Sequence, residues 1–132
     1  MVLADTSVWI AFFRLGSSAA ARKLDVLLEE GEACICGLIE AELLPGLSRK
    51  DRARVRGLMT GLPCLETELD IWTDVTDIQE RSLAQGLGPF SIPDLVVAAV
   101  ALRHKAPLFS LDKHFLSIAR VTGLKLWEEP PT

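Results

Sequence analysis

"PFSIPDLVVAAVALRHKAPLFSLD", residues 89–112, sets a helix pattern directly before a strand pattern. Leu95–Leu102 is an unbroken apolar run. A helix apolar on every side is buried on every side. Its opening is well formed: Ser91 and Asp94 have capping-box spacing, and Pro93 falls in the first turn, where proline is tolerated. "APLFSLD" then reads as a short buried strand ending at or just before Asp112. A buried helix that feeds a buried strand calls for a sheet covered by helices. It also raises a question about Asp94, which either caps the helix or holds a metal ion.

The same alternation extends outward in both directions. "MVLA" is a short apolar strand that stops at Asp5, and "SVWIAFFR" turns into a helix. "SSAAARKLDVLLEEG" has serine caps, an apolar face of Leu24, Leu27 and Leu28, and Gly31 as its stop. "EACICG" is a second strand. "LIEAELLPGL" is a helix ended near Pro45 and Gly46, and "SRKDRARVRGLMTGL" opens on Ser48 and Asp51 in capping-box spacing. "CLE" is a third strand. The long helix "LDIWTDVTDIQERSLAQGLG" places Ile71, Val75, Ile78 and Ser82 on one stripe. After Asp112 come a short helix, "DKHFLSIARVTG", a last strand, "LKLW", and a tail, "EEPPT", expected to fray. Short strands alternating with helices indicate α/β architecture with a parallel sheet, because parallel strands need crossover connections. One domain over 1–132 is expected.

Composition narrows the function classes. With 49% hydrophobic and 24% charged residues, the chain can build a full core. The net charge of −4 is unlike that of a general nucleic-acid binder. Any attraction to phosphate must be local or carried by cations. Cys34, Cys36 and Cys64 are odd in number and lack metal or disulfide spacing, so they read as free thiols of a reducing cytoplasm. Asp5 interrupts the N-terminal apolar stretch, which is not a signal peptide. No apolar run approaches the ~20 residues of a membrane span. A soluble, cytoplasmic protein is expected.

In an open parallel sheet the ligand site lies beyond the carboxyl ends of the strands. Asp5 and Asp112 both fall there. Glu40 and Glu42 sit on the helix after the second strand, and Asp94 opens another helix. Gathered carboxylates repel one another, and a divalent cation removes that penalty. Oxygen donors favour magnesium or manganese. Such ions activate water and stabilise in-line displacement at phosphorus. Each residue also has an ordinary reading. Asp5, Asp94 and Asp112 suit helix caps, and Glu42 suits a solvated helix face. Spacing does not choose between Glu40 and Glu42.

Four motifs in order, "LADTSVWI", "EAELLPGL", "IPDLVVAAVAL" and "LFSLDKHF", together resemble a PIN domain, most closely the VapC-type toxin ribonucleases. The resemblance implies a three-layer α/β sandwich with about five parallel strands. It implies an endoribonuclease that uses Mg²⁺ or Mn²⁺ to hydrolyse phosphodiesters with a metal-activated water. Asp5, Glu42, Asp94 and Asp112 carry the catalytic set, with Asp5, Asp94 and Asp112 on the metal. Ser7 and Ser110, or Thr6, supply supporting hydroxyls. Glu42 is preferred to Glu40 because the family's glutamate precedes a glycine by four positions, here Gly46. A homodimer and a cognate antitoxin are also implied. His114 stands where many relatives carry another acid, which implies a second metal position that is weaker or absent.

Other features remain to be placed. Arg49, Lys50, Arg52, Arg54 and Arg56 crowd one helix, and Arg49, Arg52 and Arg56 are the RNA-contact candidates, a solvated face being the ordinary alternative. Trp9, Trp72 and Trp127 suit packing better than base stacking. Trp9, Ile10, Phe12 and Phe13 form an apolar patch suited in part to a dimer or antitoxin surface. His104 suits a helix C-terminus, and His114 on its own suits an exposed histidine without special duty. Two other functions stay open: a receiver-like phosphoacceptor domain, and a PIN-like binding module that no longer cuts. The receiver pattern fits loosely, since "DTS" has one acid and Lys125 lies inside "LKLW".

Overall fold

The computed structural model describes residues 1–14 and 16–128. Four strands, β1 (Val2–Ala4), β2 (Ala33–Cys36), β3 (Cys64–Leu65) and β4 (Leu108–Phe109), form one sheet in the order β3-β2-β1-β4. Every pairing is parallel. Among the described residues seven helices flank it: α1 (Thr6–Arg14), α2 (Ala19–Glu29), α3 (Gly37–Leu43), α4 (Arg49–Thr60), α5 (Ile71–Ala84), α6 (Ile92–Arg103) and α7 (His114–Val121). A 3-10 turn over Leu44–Gly46 ends α3 where Pro45 removes a backbone donor.

The helix boundaries follow their caps. The Ser18 side chain accepts from Ala21 N, Ser48 from Asp51 N, and Ser91 from Asp94 N. Gly31 closes α2 at φ +69°, a backbone region open to glycine. α5 buries Ile71, Val75, Ile78 and Ser82, the stripe its period predicts. α6 buries every residue from Leu95 to Ala101. Trp9 is fully enclosed, and its Nε1 donates to Ala4 O at 3.2 Å. Cys34 and Cys36 are buried in β2 and Cys64 is exposed, all as free thiols. Burial pushes the Cys34 thiol up to about 11 and raises that of Cys36.

Two expectations need correction. The sheet has four strands, not five. "LKLW" contributes a single parallel bridge, Leu108 to Leu126. Lys125 O accepts from Leu108 N at 2.9 Å, and Trp127 N donates to Leu108 O at 2.8 Å. β4 is two residues long, so it offers a further strand only the backbone groups of Leu108. β4 also stops at Phe109, short of Asp112. The reason is Ser110, whose hydroxyl is engaged across the strand ends and turns the chain out of the ladder. Of the tail expected to fray, 128–132, Glu128 is described and pairs with Lys23, and 129–132 lie outside the described residues. No helix among the described residues is long and apolar enough to cross a membrane.

The strand order places the site. The chain runs from β1 outward to β2 and β3, then returns to β4 on the other side of β1. The crevice between the carboxyl ends of β1 and β4 is the topological switch point, where open α/β sheets bind ligands.

Candidate active site

Asp5 leaves β1 directly into that crevice and is buried. Its Oδ1 accepts from Ser7 Oγ at 2.5 Å, from Ser7 N at 3.0 Å and from Val8 N at 3.4 Å. Its Oδ2 accepts from Ser110 Oγ at 2.5 Å. Burial raises the Asp5 pKa to about 6, and these hydrogen bonds to Ser110, Ser7 and Val8 hold it from rising further. Desolvation disfavours the carboxylate while the donors favour it.

The two serines carry Asp5's influence to the β4 side. Ser7 Oγ accepts from Leu111 N at 2.9 Å, and Ser110 Oγ accepts from Asp112 N at 3.0 Å. The loop bearing Asp112 is therefore pinned to β1 through two hydroxyls. Asp112 in turn starts α7: its Oδ1 accepts from His114 N at 2.9 Å. Capping and exposure to the crevice coexist in one side chain.

The question about Asp94 resolves in the same way. Ser91 caps α6, and the Asp94 carboxylate faces α7. His114 Nδ1 lies 3.3 Å from Asp94 Oδ2 and 3.4 Å from Asp112 Oδ1. One donor atom from each of Asp94, Asp112 and His114 lies within 4.8 Å of the other two. Oxygen and imidazole donors gathered in this way are of the types that hold a divalent cation. Asp5 connects to this trio through the Ser110 hydroxyl, which bonds the Asp112 backbone.

Sequence reasoning missed what holds the trio's rim. Phe90 is buried, and its ring centroid lies 5.9 Å from that of His114. Gln79 grips Phe90 from both sides, with Nε2 donating to Phe90 O at 2.9 Å and Oε1 accepting from Phe90 N at 3.0 Å. Gly88 makes this approach feasible: its φ is +76°, and a Cβ there would come within 2.9 Å of Phe90 N. The long helix read from the sequence runs on through Gly88, whereas α5 ends at Ala84 and Gly86 and Gly88 adopt positive φ; nothing local shows that Phe90 braces a histidine 24 positions on.

The remaining candidates are distributed as follows. Glu42 Oε1 accepts from Thr6 Oγ1 at 2.9 Å, which ties it to the residue after Asp5. Glu42 is exposed and Glu40 half-buried. Arg49, Arg52 and Arg56 are exposed on one face of α4, and none is in an ion pair among the described residues. Arg54 lies over the Phe13 ring, 5.6 Å from its centroid. Phe12 and Phe13 pack with Trp9, so the apolar patch is half built into the core. Trp127 packs on Phe109, while Trp72 is exposed. At the far end of α6, Arg103 binds Asp74 through Nε at 2.8 Å and Asp70 through Nη1 at 2.6 Å. His104 Nε2 lies 2.9 Å from Glu66 O and 3.4 Å from Glu68 Oε1.

A family model described as PIN domain matches residues 2–121. The chain belongs to the PIN-domain family. Among relatives of this PIN domain, Ribonuclease VapC11 of Mycobacterium tuberculosis is 36% identical over 129 residues, covering 95% of this chain and 96% of that protein. Ribonuclease VapC21 of the same organism is 32% identical over 117 residues, covering 85% and 83%. Solved VapBC structures share the fold. VapBC2 from Rickettsia felis, bound to a promoter DNA fragment, superposes with TM-score 0.76 at 18% identity, covering 97% of this chain and 100% of that one. VapBC-1 from nontypeable Haemophilus influenzae gives 0.72 at 22% identity, covering 98% of each.

Proposed function

We propose that this single-domain chain is a metal-dependent endoribonuclease, the toxin of a toxin–antitoxin pair, acting as a homodimer held in check by its antitoxin. The observation that carries this reading is the meeting of Asp94, Asp112 and His114 at the switch-point edge, beside buried Asp5. The names of the ribonuclease relatives support the reaction class, and a toxin-antitoxin complex from Klebsiella pneumoniae with the same fold supports the antitoxin partner. Magnesium or manganese suits the carboxylate-rich set.

The chain's own residues divide the work. Asp94 and Asp112 would hold the ion directly, and Asp5 and Glu42 from the adjoining side, directly or through water. A bound divalent ion supplies Lewis-acid charge stabilisation and lowers the pKa of water. Ser7 and Ser110 fix the Asp5 carboxylate and, through their bonds to Leu111 and Asp112, the distance between the two strand ends. Asp112 keeps α7 in register by accepting from His114 N, so the carboxylate cannot drift from Asp94. Arg49, Arg52 and Arg56 give the RNA backbone a positive face in a negative protein.

The test is cleavage of total cellular RNA by purified, antitoxin-free protein with Mg²⁺ or Mn²⁺, with chelator, and with Asp94→Asn shown to be folded. The expected result is cleavage abolished by chelator and reduced about 100-fold by the substitution. Full activity in Asp94→Asn would return Asp94 to a purely structural role.

A further inference from the structure

We infer that His114 is a direct metal donor and turns this site away from magnesium toward ions that accept nitrogen, manganese foremost. The inference rests on the metal-centre reading above and deepens it by naming a donor and an ion preference. His114 Nδ1 is held between two carboxylates from different elements, 3.3 Å from Asp94 Oδ2 and 3.4 Å from Asp112 Oδ1. The imidazole is 62% exposed, yet it is tethered on the crevice side. Its own backbone N–H is bound to Asp112 Oδ1 at 2.9 Å, and its ring lies beside Phe90, which Gln79 fixes at both backbone groups. The bracing therefore presents a nitrogen at the point where the two oxygens converge.

Donor chemistry then selects the ion. Magnesium prefers an all-oxygen octahedron and gives up its waters reluctantly. Imidazole suits first-row transition ions, and manganese accepts carboxylate equally well. Two carboxylates and one imidazole form a mixed set in which magnesium gains least. Losing an outer-sphere partner alone typically costs 10–100-fold in metal affinity, so replacing this direct donor should change the manganese-to-magnesium affinity ratio by about tenfold or more.

The experiment is Mn²⁺ binding to the metal-free full chain, followed by EPR, with magnesium as competitor and pulsed EPR to detect nitrogen coupling. The chain has two histidines, so the source of nitrogen is assignable. Nitrogen coupling is expected in the wild type and in His104→Asn, and its loss in His114→Asp, together with the fall in the manganese-to-magnesium ratio. Manganese bound to the wild type without nitrogen coupling overturns the inference and leaves the metal centre standing. So does coupling that survives His114→Asp, or an unchanged ratio. Failure of the folded wild type to bind manganese overturns the metal centre and this inference together.

Discussion

Asp5 is an acid under two opposing demands. Burial raises its pKa while four donors, two of them serine hydroxyls, hold the carboxylate form in place. Its value of about 6 in the folded protein stands above the 3.8 of an ordinary aspartate, so folding favours the protonated form. The associated stability is complete below pH 4 and is lost as pH rises through 6. For metal-free protein the loss between pH 4 and pH 7 amounts to about 2 kcal/mol. Unfolding free energies in chelator, taken as the difference between wild type and Asp5→Asn at each pH, should show that slope. Parallel pH profiles would show that the carboxyl titrates as an exposed one does. Asp94 was less readable at this scale. Capping-box spacing is present and Ser91 does accept from Asp94 N, yet the carboxylate points at His114, 20 residues on. No local pattern encodes that choice, because it depends on where α7 begins.

At the scale of elements, periodicity carried the helices. The stripe of α5 and the all-round burial of α6 follow from side-chain spacing alone. α6 has no solvent face between Leu95 and Ala101, so enlarging a side chain there has nowhere to go. Ala99→Leu should cost about 1–3 kcal/mol in urea unfolding. Ile92→Ala, at the exposed start of the same helix, should stay within about 0.5 kcal/mol. Strand ends were harder to read. Apolar residues continue past Phe109 to Leu111, but Ser110 binds Asp5 and takes the backbone out of the ladder. The fifth strand fails for a related reason, since a two-residue β4 cannot template it. The junction of α5 and α6 was also invisible. Arg103 is clamped by Asp70 and Asp74, which raise its pKa further and lower their own, and these pairings join residues about 30 positions apart.

For the whole molecule, the charge distribution is the informative quantity. The protein is negative overall, yet five basic residues fall within Arg49–Arg56. If Arg49, Arg52 and Arg56 meet RNA phosphates, the slope of log affinity against log salt should fall by about 0.7 per lost contact. Binding of a single-stranded RNA to Asp94→Asn, with and without glutamine at the three positions, gives that slope directly. An unchanged slope would assign α4 to solvent or to a protein partner. The hydrogen bond from Ser110 to Asp5 spans 105 residues. Its length has a consequence for synthesis. A ribosome that has made β1, β2 and β3 has made Asp5 and Glu42 but neither Ser110, Asp112 nor His114. The crevice closes only when β4 emerges and slots in beside the oldest strand of the sheet. If this crevice is the nuclease site proposed above, the nascent chain leaves its own template uncut for most of the time it takes to be translated.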